Sequence, residues 1–424
     1  MRRFNLKITV NTLKESAIRA ADWLSASSQI NDKNSNFFGA LKNDYDIKEQ
    51  KWYFYEPFWH TAHGLRALLA LSKELNTDKW DDAIDNAAYF LKKQIINNPE
   101  RPRIHGGLMR VHGPVETCVP FGKMGCTTLT DGLEGLFDYY LIKKDPDTLE
   151  AIKRAEHWLT NVMYDKKTGF LWSFMDMETE EYYKDIIRRL NRDNKAYFYK
   201  RPDAEGSSLL LLGKLFNKPK LIDGFKKILD FLVHDQGKDG IWWNWACNKK
   251  DPPRAHGRYN LWLAFALLNG YEFFGDDIYR EAALRTAKFY RQAQYPNGSM
   301  SYMTIQGEKG EMINPCGSAV ALAALLWLKL MSYEFDEDFA CGVKLSCEFL
   351  LNTQYSDSFF DHNLRGAYFE LHNNNVRDIA SVFGIQLATK LTAGLKKMGI
   401  VNLEEWMASK TKWKWEKWPA ESII

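Results

Sequence analysis

The sequence predicts an all-α fold: a closed (α/α)6 barrel of six helical hairpins, with short strands in the connecting loops. Three observations predict it. An amphipathic helix recurs six times along the 424 residues, a glycine-led run follows each copy, and an almost wholly apolar helix follows each run. Internal repeats outweigh chain length in deciding domain number. We therefore expect one domain over residues 1–424, with its core at about 10–398 and a C-terminal tail at 399–424 that packs on the barrel or is disordered.

The amphipathic helix of each repeat carries apolar residues at helical spacing and charged residues on the opposite face, as an outer helix does. One aromatic residue marks the same position in every copy, at intervals of 67, 68, 73, 58 and 60 residues. These residues are Trp23, Phe90, Trp158, Phe231, Phe289 and Phe349. We expect them at equivalent positions in the ring.

The glycine-led runs are typical of a turn followed by a brief strand. They begin at Gly39, Gly107, Gly169, Gly240, Gly298 and Gly366. The helix after each run, as in "AHGLRALLAL" and "CGSAVALAALLWLKL", is apolar on nearly every side and so belongs in the interior. Six amphipathic and six apolar helices fit two concentric rings, with the apolar helices on the inside. An open solenoid is the competing fold, but it requires polar capping repeats, and neither terminal hairpin has that character.

Composition excludes several classes of function. The 57 Lys and Arg residues and 54 Asp and Glu residues leave a net charge of +3, which is too small to indicate nucleic-acid binding. The N-terminal segment has no apolar region typical of a signal peptide, and no run of about 18 apolar residues predicts a membrane span. The six cysteines show no metal-binding or disulfide spacing. We expect a cytoplasmic monomer or homodimer with reduced thiols.

The repeats resemble the six-hairpin glycosidase and α/α-toroid superfamily over nearly the whole predicted barrel. The segment "FDHNLRGAYFE" is similar to a D-x-x-L-x-G-A segment in the last hairpin of uncharacterised, sugar-associated toroid proteins. The resemblance concerns architecture and implies a carbohydrate-related role. Fold alone does not fix chemistry.

Other chemistries of this architecture lack their motifs here. The aspartate-rich acid motif of terpene cyclases is missing, since the closest run, "DKWDDAID", falls on a solvated outer face. No Cys-His-Gly element and no Asp/Cys/His set predicts zinc. We therefore predict no metal and no cofactor, and an oligosaccharide or polysaccharide as the partner.

The loops that enter the inner helices converge on one end of such a ring, which we call the mouth. They are residues 53–63, 118–131, 197–207, 252–260, 311–319 and 372–381. All are richer in polar and aromatic residues than a structural turn requires. Residues 176–202 also lengthen one connection well beyond the usual 2–8 residues, which predicts a lid or cleft wall.

Catalytic candidates follow from the chemistry of sugars. Glycoside hydrolysis needs two carboxyl groups about 5–10 Å apart. Glu56 lies among aromatic residues, a setting that raises a carboxyl pKa toward use as a general acid. Asp203 and Glu205 lie two apart beside Arg201, so they can hold different protonation states. Proton abstraction from a uronic acid would instead use His or Tyr. The catalytic candidates are Glu56, Asp203, Glu205, His256 and Tyr259.

Substrate-binding candidates share the same mouth. Arginine forks suit carboxylate or sulfate groups, although they also neutralise nearby aspartates in many proteins. Aromatic rings suit sugar faces, and paired histidines suit sugar hydroxyls. Asp378 and Asp203 also fit the N-cap position of a helix. The candidates are Tyr53, Tyr55, Trp59, His60, His63, Arg201, Trp242, Trp243, Arg254, Arg258, Asn314, Asp361, Arg365 and Asp378.

Three functions stay open. The first is a glycoside hydrolase that uses paired carboxylates on an acidic, uronic-acid-containing saccharide. The second is a polysaccharide lyase or uronate C5-epimerase that uses His or Tyr with Arg. The third is a glycan-binding toroid without catalysis, in which the tryptophans serve as stacking platforms.

Overall fold

The computed structural model of the chain describes residues 7–183, 200–244, 248–250, 253–305, 314–372 and 375–424. Its helices alternate between two classes. The outer helices are α1 (Val10–Trp23), α3 (Asp81–Gln94), α5 (Pro146–His157), α7 (Pro219–Asp235), α9 (Asp277–Ala293) and α11 (Glu337–Thr353), and the inner helices are α2 (Pro57–Leu75), α4 (Cys126–Lys143), α6 (Ser208–Leu215), α8 (Tyr259–Phe274), α10 (Gly317–Met331) and α12 (Ile379–Met398). A shorter helix, α13 (Leu403–Ser409), follows them.

The inner helices form a closed ring. Neighbouring inner helices pack on each other, except that α6 meets α8 through the turn Glu205–Ser207, and α12 returns to pack on both α2 and α1. Every described side chain of α10 is buried, whereas α9 buries one face and exposes the other. The prediction of an all-α (α/α)6 barrel is confirmed. The central part of the predicted lid, residues 184–199, lies outside the described residues.

A repeated glycine contact sets the spacing between hairpins. In each connecting loop a glycine with left-handed φ packs against the outer helix of the neighbouring hairpin, four residues before its marker aromatic. A Cβ at Gly298, for example, would lie 1.9 Å from the carbonyl oxygen of Leu345. The six glycines are Gly39, Gly106, Gly169, Gly240, Gly298 and Gly366. In the second repeat Gly106, rather than the predicted Gly107, has this conformation. The contacts place the six marker aromatics at equivalent positions.

Short strands line the mouth. They are β1 (Asp44–Asp46), β2 (Lys51–Tyr55), β3 (Met109–Arg110), β4 (His112–Pro114), β5 (Phe121–Gly125), β6 (Leu171–Trp172), β7 (Phe174–Asp176), β8 (Lys200–Arg201), β9 (Lys249–Lys250), β10 (Pro253–His256), β11 (Met303–Ile305), β12 (Leu371–His372) and β13 (Asn375–Arg377). The largest sheet has the order β12-β13-β1-β2-β4 and antiparallel pairing, with Asp44 opposite Arg377. Because β13 precedes α12 and β1 precedes α2, this sheet joins the last hairpin to the first.

The C-terminal segment packs on the barrel at the end opposite the mouth. Trp413, Trp418 and Ala420 are buried, and the backbone N–H of Trp413 donates to the carbonyl of Met331 at the end of α10. Lysines at 410, 412, 414 and 417 face outward, so the alternation of Lys and Trp separates an exposed from a buried face. Within the described part of the chain, no helix combines the length and apolar character that a bilayer crossing demands.

Candidate active site

Two histidine–carboxylate pairs occupy the centre of the mouth. His60 and His63 lie one turn apart on α2, and both are buried. The Nδ1 atom of His60 lies 2.6 Å from Oδ1 of Asp378, the residue that precedes α12. The Nε2 atom of His63 lies 3.1 Å from Oδ1 of Asp131 on α4. Three neighbouring inner helices thus supply the two pairs.

Burial disfavours a charge on either member of the pair of His60 and Asp378. Burial lowers the pKa of His60 well below its usual value, and Arg258 contributes to that lowering. Burial also raises the pKa of Asp378, and the nearby charge of Asp44 adds to the rise. Asp378 occupies the N-cap position of α12, as the alternative had it, but its carboxyl group makes no capping hydrogen bond and faces His60 instead. A neutral Asp378 donates to Nδ1 of the neutral imidazole, so the Nε2 atom of His60 carries the ring hydrogen and can give up a proton.

Aromatic rings form the wall beside the histidines. Trp59 packs on His60 with ring centroids 3.8 Å apart and meets Trp262 edge-on at 5.7 Å. The ring of His63 stacks parallel to that of Trp262 and contacts Phe383 at 5.2 Å. Flat apolar faces next to hydrogen-bonding groups match the alternating apolar and polar faces of a sugar ring.

The residues just before α8 belong to the same site, but the charge of Arg258 is matched by a carboxylate of the protein itself. Arg258 is 3% exposed, and its Nη1 donates to Glu370 at 2.9 Å and to Ser318 at 2.8 Å. Glu370 thus matches the charge of Arg258, which counts against the expectation that Arg258 binds an anionic sugar. Arg254 on β10 is half-buried.

His256 and Tyr259 are held in an aromatic cluster. The Nδ1 atom of His256 accepts the backbone N–H of Arg258 at 3.1 Å, which places the proton of the neutral ring on Nε2. The rings of Tyr259 and Tyr302 both lie edge-on to His256 at 4.7 Å. Arg377 lies over Tyr302 and forms an ion pair with Asp44. The cluster therefore continues from α8 to the loop before α12.

Glu56 does not have the environment of a general acid. Burial alone would raise its pKa, but His112 and Arg110 outweigh burial and lower the pKa of Glu56. Arg110 pairs with its carboxylate, and the Nε2 atom of His112 lies 2.8 Å away. The premise that aromatic neighbours raise this pKa is wrong, since two basic side chains from β3 and β4 hold the group ionised.

Asp203 and Glu205 lie together between α4 and α6. Asp203 accepts hydrogen bonds from Thr127 at 3.0 Å and Thr130 at 3.3 Å. Burial raises the pKa of Glu205 well above its usual value, and the charge of Asp203 adds to the rise. Arg201 lies 3.5 Å from Glu205 and donates to Thr127. The raised pKa makes Glu205 the candidate acid at this position.

Several predicted binding residues have structural contacts instead. Trp242 is fully buried and donates to the carbonyl of Leu232, so its interpretation as a sugar platform is wrong. Trp243 donates to Asp239, and Tyr53 donates to Glu49. Asp361 accepts from Tyr45, Arg365 donates to the carbonyl of Phe359, and the carbonyl of Asn314 accepts the N–H of Tyr302. Tyr55 lies nearer the site, edge-on to His112.

Other members of the site were missed at the sequence level. Arg110 and His112 alternate along "MRVHGP", a polar alternation that could have marked two strands at the mouth. Trp262 gives no signal, because it lies within an apolar helix. Among the described residues, no group of three His, Cys, Asp or Glu side chains comes together as metal ligands would.

Comparisons with known proteins agree with the architecture. No protein-family model matches the chain, and no curated protein matches it. A cellobiose 2-epimerase from Bacillus thermoamylovorans B4167 superposes with a TM-score of 0.65 at 13% identity, over 89% of this chain and 99% of its own. An unsaturated glucuronyl hydrolase specific for heparin gives a TM-score of 0.66 at 14% identity, over 91% and 98%. The chain has the six-hairpin toroid fold.

The same fold also carries unrelated chemistry. A type II terpene cyclase from Scytonema superposes with a TM-score of 0.55 at 14% identity, over 90% of this chain and 99% of its own. At such identities the likeness concerns the fold, and the reaction has to be argued from the site.

Proposed function

We propose that the protein is a carbohydrate-active enzyme that moves a proton at a sugar carbon next to a carbonyl group, as an epimerase or isomerase does. The observation that carries this proposal is the presence of two histidine–carboxylate pairs on successive turns of α2, beside Trp59 and Trp262. A carboxylate fixes the tautomer and orientation of its imidazole, which is the arrangement of a general base.

The chemistry balances with the residues at hand. With its Nε2–H donated to Asp131, His63 would take the proton from the carbon next to the carbonyl group through Nδ1, and the electron pair of the broken C–H bond would move to the carbonyl oxygen as an enediolate forms. Return of a proton to the opposite face of the same carbon gives an epimer. Return to the neighbouring carbon, with transfer of the hydroxyl proton between the two oxygens, gives an isomer. His60, through its Nε2–H, is the candidate donor. Histidine suits both steps because its ordinary pKa, about 6.5, lies near neutral pH.

The comparisons favour sugars over other carbon acids. The cellobiose 2-epimerase acts at a carbon next to the carbonyl of a reducing sugar, as its name implies, and the aromatic wall of this chain fits a sugar face. The expectation of an acidic sugar has less support, because Glu370 and Asp44 match the charges of Arg258 and Arg377. Uronate elimination or C5-epimerisation would have to use Arg254, which forms no ion pair within the described residues and lies half-buried on β10. We therefore propose a neutral reducing sugar as the substrate class.

Hydrolysis is the second candidate, favoured by one observation. Glu205 is a buried acid with a raised pKa beside Asp203, and one of the similar structures is a glucuronyl hydrolase. Against it, the two groups contact each other, whereas a hydrolase holds its carboxyl groups about 5–10 Å apart across the bond. Proton transfer by histidine is the better account.

One experiment separates these reactions. The protein is incubated in D₂O with D-glucose, D-mannose, cellobiose and a uronic-acid oligosaccharide, and the sugars are followed by proton NMR. We expect the C2 proton signal of a neutral reducing sugar to disappear with the wild-type protein and to persist with His63→Gln. New reducing ends without deuterium mean hydrolysis, and absorbance near about 235 nm means elimination. Either result without C2 exchange overturns the proposal.

A further inference from the structure

A cavity lies on the barrel axis beneath the histidine pairs. Residues from all six inner helices or their first turns line it, with His63 and Trp262 at the side of the mouth. Phe383 and Gln386 come from α12, and the amide of Gln386 donates to the backbone carbonyl of His63. The wall of the cavity is therefore shared with the candidate active site.

The far end of this cavity is closed by the C-terminal segment. Trp415, Trp418 and Glu421 line it opposite the mouth. Glu421 accepts from the Nζ atom of Lys329 at 3.0 Å and from the indole of Trp415 at 3.2 Å. Lys390 lies 3.5 Å from the ring centroid of Trp418.

The contacts that hold the C-terminal segment in place involve buried charged groups. Lys329 is fully buried on α10, and it also donates to Asn269 of the cavity wall at 2.7 Å. The backbone N–H of Ala420 donates to Asp138 of α4 at 2.6 Å. Buried ion pairs give little stability beyond what apolar packing would give, whereas they specify position well in several proteins. The arrangement therefore fixes the two indoles at one place on the axis.

We infer that Trp415 and Trp418 form the floor of the catalytic cavity and determine how deep a sugar enters it. Resting on the proposed function, this inference makes the C-terminal segment a specificity element rather than a stabilising tail alone. The floor excludes water from the axis below His63, and it stops the reducing end of a sugar at the level of the histidine pairs.

The test compares substitutions within the same segment. The double variant Trp415→Ala/Trp418→Ala removes the floor. Trp413→Ala is the matched control, because Trp413 is at least as buried as either floor residue and packs on Trp406 but does not line the cavity. Modification of His63 by diethyl pyrocarbonate, quantified by peptide mass spectrometry, reports access to the cavity without any substrate. Circular dichroism checks that each variant is folded, and Trp415→Leu replaces the double variant if that one does not fold.

We expect the modification rate of His63 to rise several-fold in the floor variant and to stay near the wild-type rate in Trp413→Ala. The ratio of C2 exchange rates for cellobiose and D-mannose should also change only in the floor variant. An unchanged rate at His63, or an equal rise in Trp413→Ala, overturns the inference. Because the modification assay uses no sugar, its result stands apart from the outcome for the proposed function.

Discussion

At the scale of single residues, the identity of a neighbour from a distant hairpin decides what each candidate can do. Asp378 precedes an apolar helix and fits an N-cap by sequence, yet its carboxylate bonds His60, which lies 318 positions earlier. Glu56 lies among aromatic residues, yet Arg110 and His112 keep it ionised. Local sequence indicates which side chains reach the mouth. It does not indicate their pKa values, because those depend on partners that only the ring brings together.

The pairing of Asp378 with His60 predicts a specific loss. Asp378→Asn keeps the shape of the side chain, but its amide cannot pass a proton to Nδ1 of His60, so the imidazole can no longer release its Nε2 proton readily. We expect the rate of C2 exchange to fall by about 10²–10⁴ while sugar binding persists. Glu156→Gln, which alters a buried carboxylate on the outer helix α5 that pairs with Lys218, should lower stability without this loss. Equal rates in wild type and Asp378→Asn would contradict the assignment.

Arg258 should matter for stability whichever sugar is tested. Arg258→Ala leaves Glu370 buried without its cation, and we expect a loss of about 3–5 kcal/mol in the free energy of unfolding. Arg258→Ala/Glu370→Ala should recover part of that loss in urea unfolding. A stable single variant with weakened binding of acidic sugars alone would instead restore Arg258 as a substrate ligand.

At the scale of elements, the repeats predicted the helices because each copy reports the same structural position. The inner and outer classes follow from apolar periodicity, and the twelve helices lie where the pattern placed them. The glycine of the second repeat was misplaced by one residue, because two consecutive glycines give the same sequence signal. The partners of the C-terminal segment could not be predicted in this way. Its contacts with α4, α10 and α12 are not repeated in other hairpins, so no recurring pattern marks them.

The glycine contacts predict an uneven response to the same substitution. Gly298→Ala would place a methyl group 1.9 Å from the carbonyl oxygen of Leu345, and we expect a loss of about 3 kcal/mol or more in unfolding free energy. Gly399 also has a left-handed φ but has nothing within 4 Å of the added carbon. Gly399→Ala should therefore cost only about 1 kcal/mol. Similar losses in both variants would mean that backbone strain, rather than helix spacing, explains Gly298.

The anchor of the C-terminal segment should be sensitive to pH. Burial alone would raise the pKa of Glu421, but Lys329 and Lys390 outweigh it and lower the pKa to about 2. An unfolded glutamate titrates near about 4.3, so the stabilisation is complete above that pH and is lost as the pH falls toward 2. Glu421→Gln should be less stable than wild type by about 3 kcal/mol at pH 7, with a difference that shrinks below about pH 4. A difference independent of pH would assign the effect to packing.

At the scale of the whole molecule, ring closure is what turns six separate loops into one site. The sheet β12-β13-β1-β2-β4 joins the loops before α12 and α2, and this junction brings Arg377 beside Asp44 and Asp378 beside His60. In an open array the first and last hairpins would lie far apart, and neither contact would form. The site therefore forms only in the closed ring. The repeats predicted the architecture of the barrel, but they did not predict which residues make up the site.

Closure also predicts that the junction is as stable as the rest of the ring. The amide of Gln354 donates to the carbonyls of Ser16 and Gly366, bridging the last and first hairpins, and Gln294 makes the equivalent bridge to Gly298 and Gly342 within the ring. Each substitution by alanine removes comparable hydrogen bonds, so each should lower the unfolding free energy by about 2 kcal/mol.

Hydrogen exchange on α8, far from the junction, distinguishes a cooperative ring from an array that frays at its ends. In a ring that unfolds as one unit, Gln354→Ala and Gln294→Ala should accelerate exchange of the slowest α8 amides by the same factor, because both report global unfolding. If the junction behaves as a loose end, Gln354→Ala will accelerate exchange only in α1, α11 and α12. That pattern would mean that the first and last hairpins are in contact but do not unfold together with the rest of the ring. The pair of His60 and Asp378, which spans the junction, would then open independently of the rest of the site.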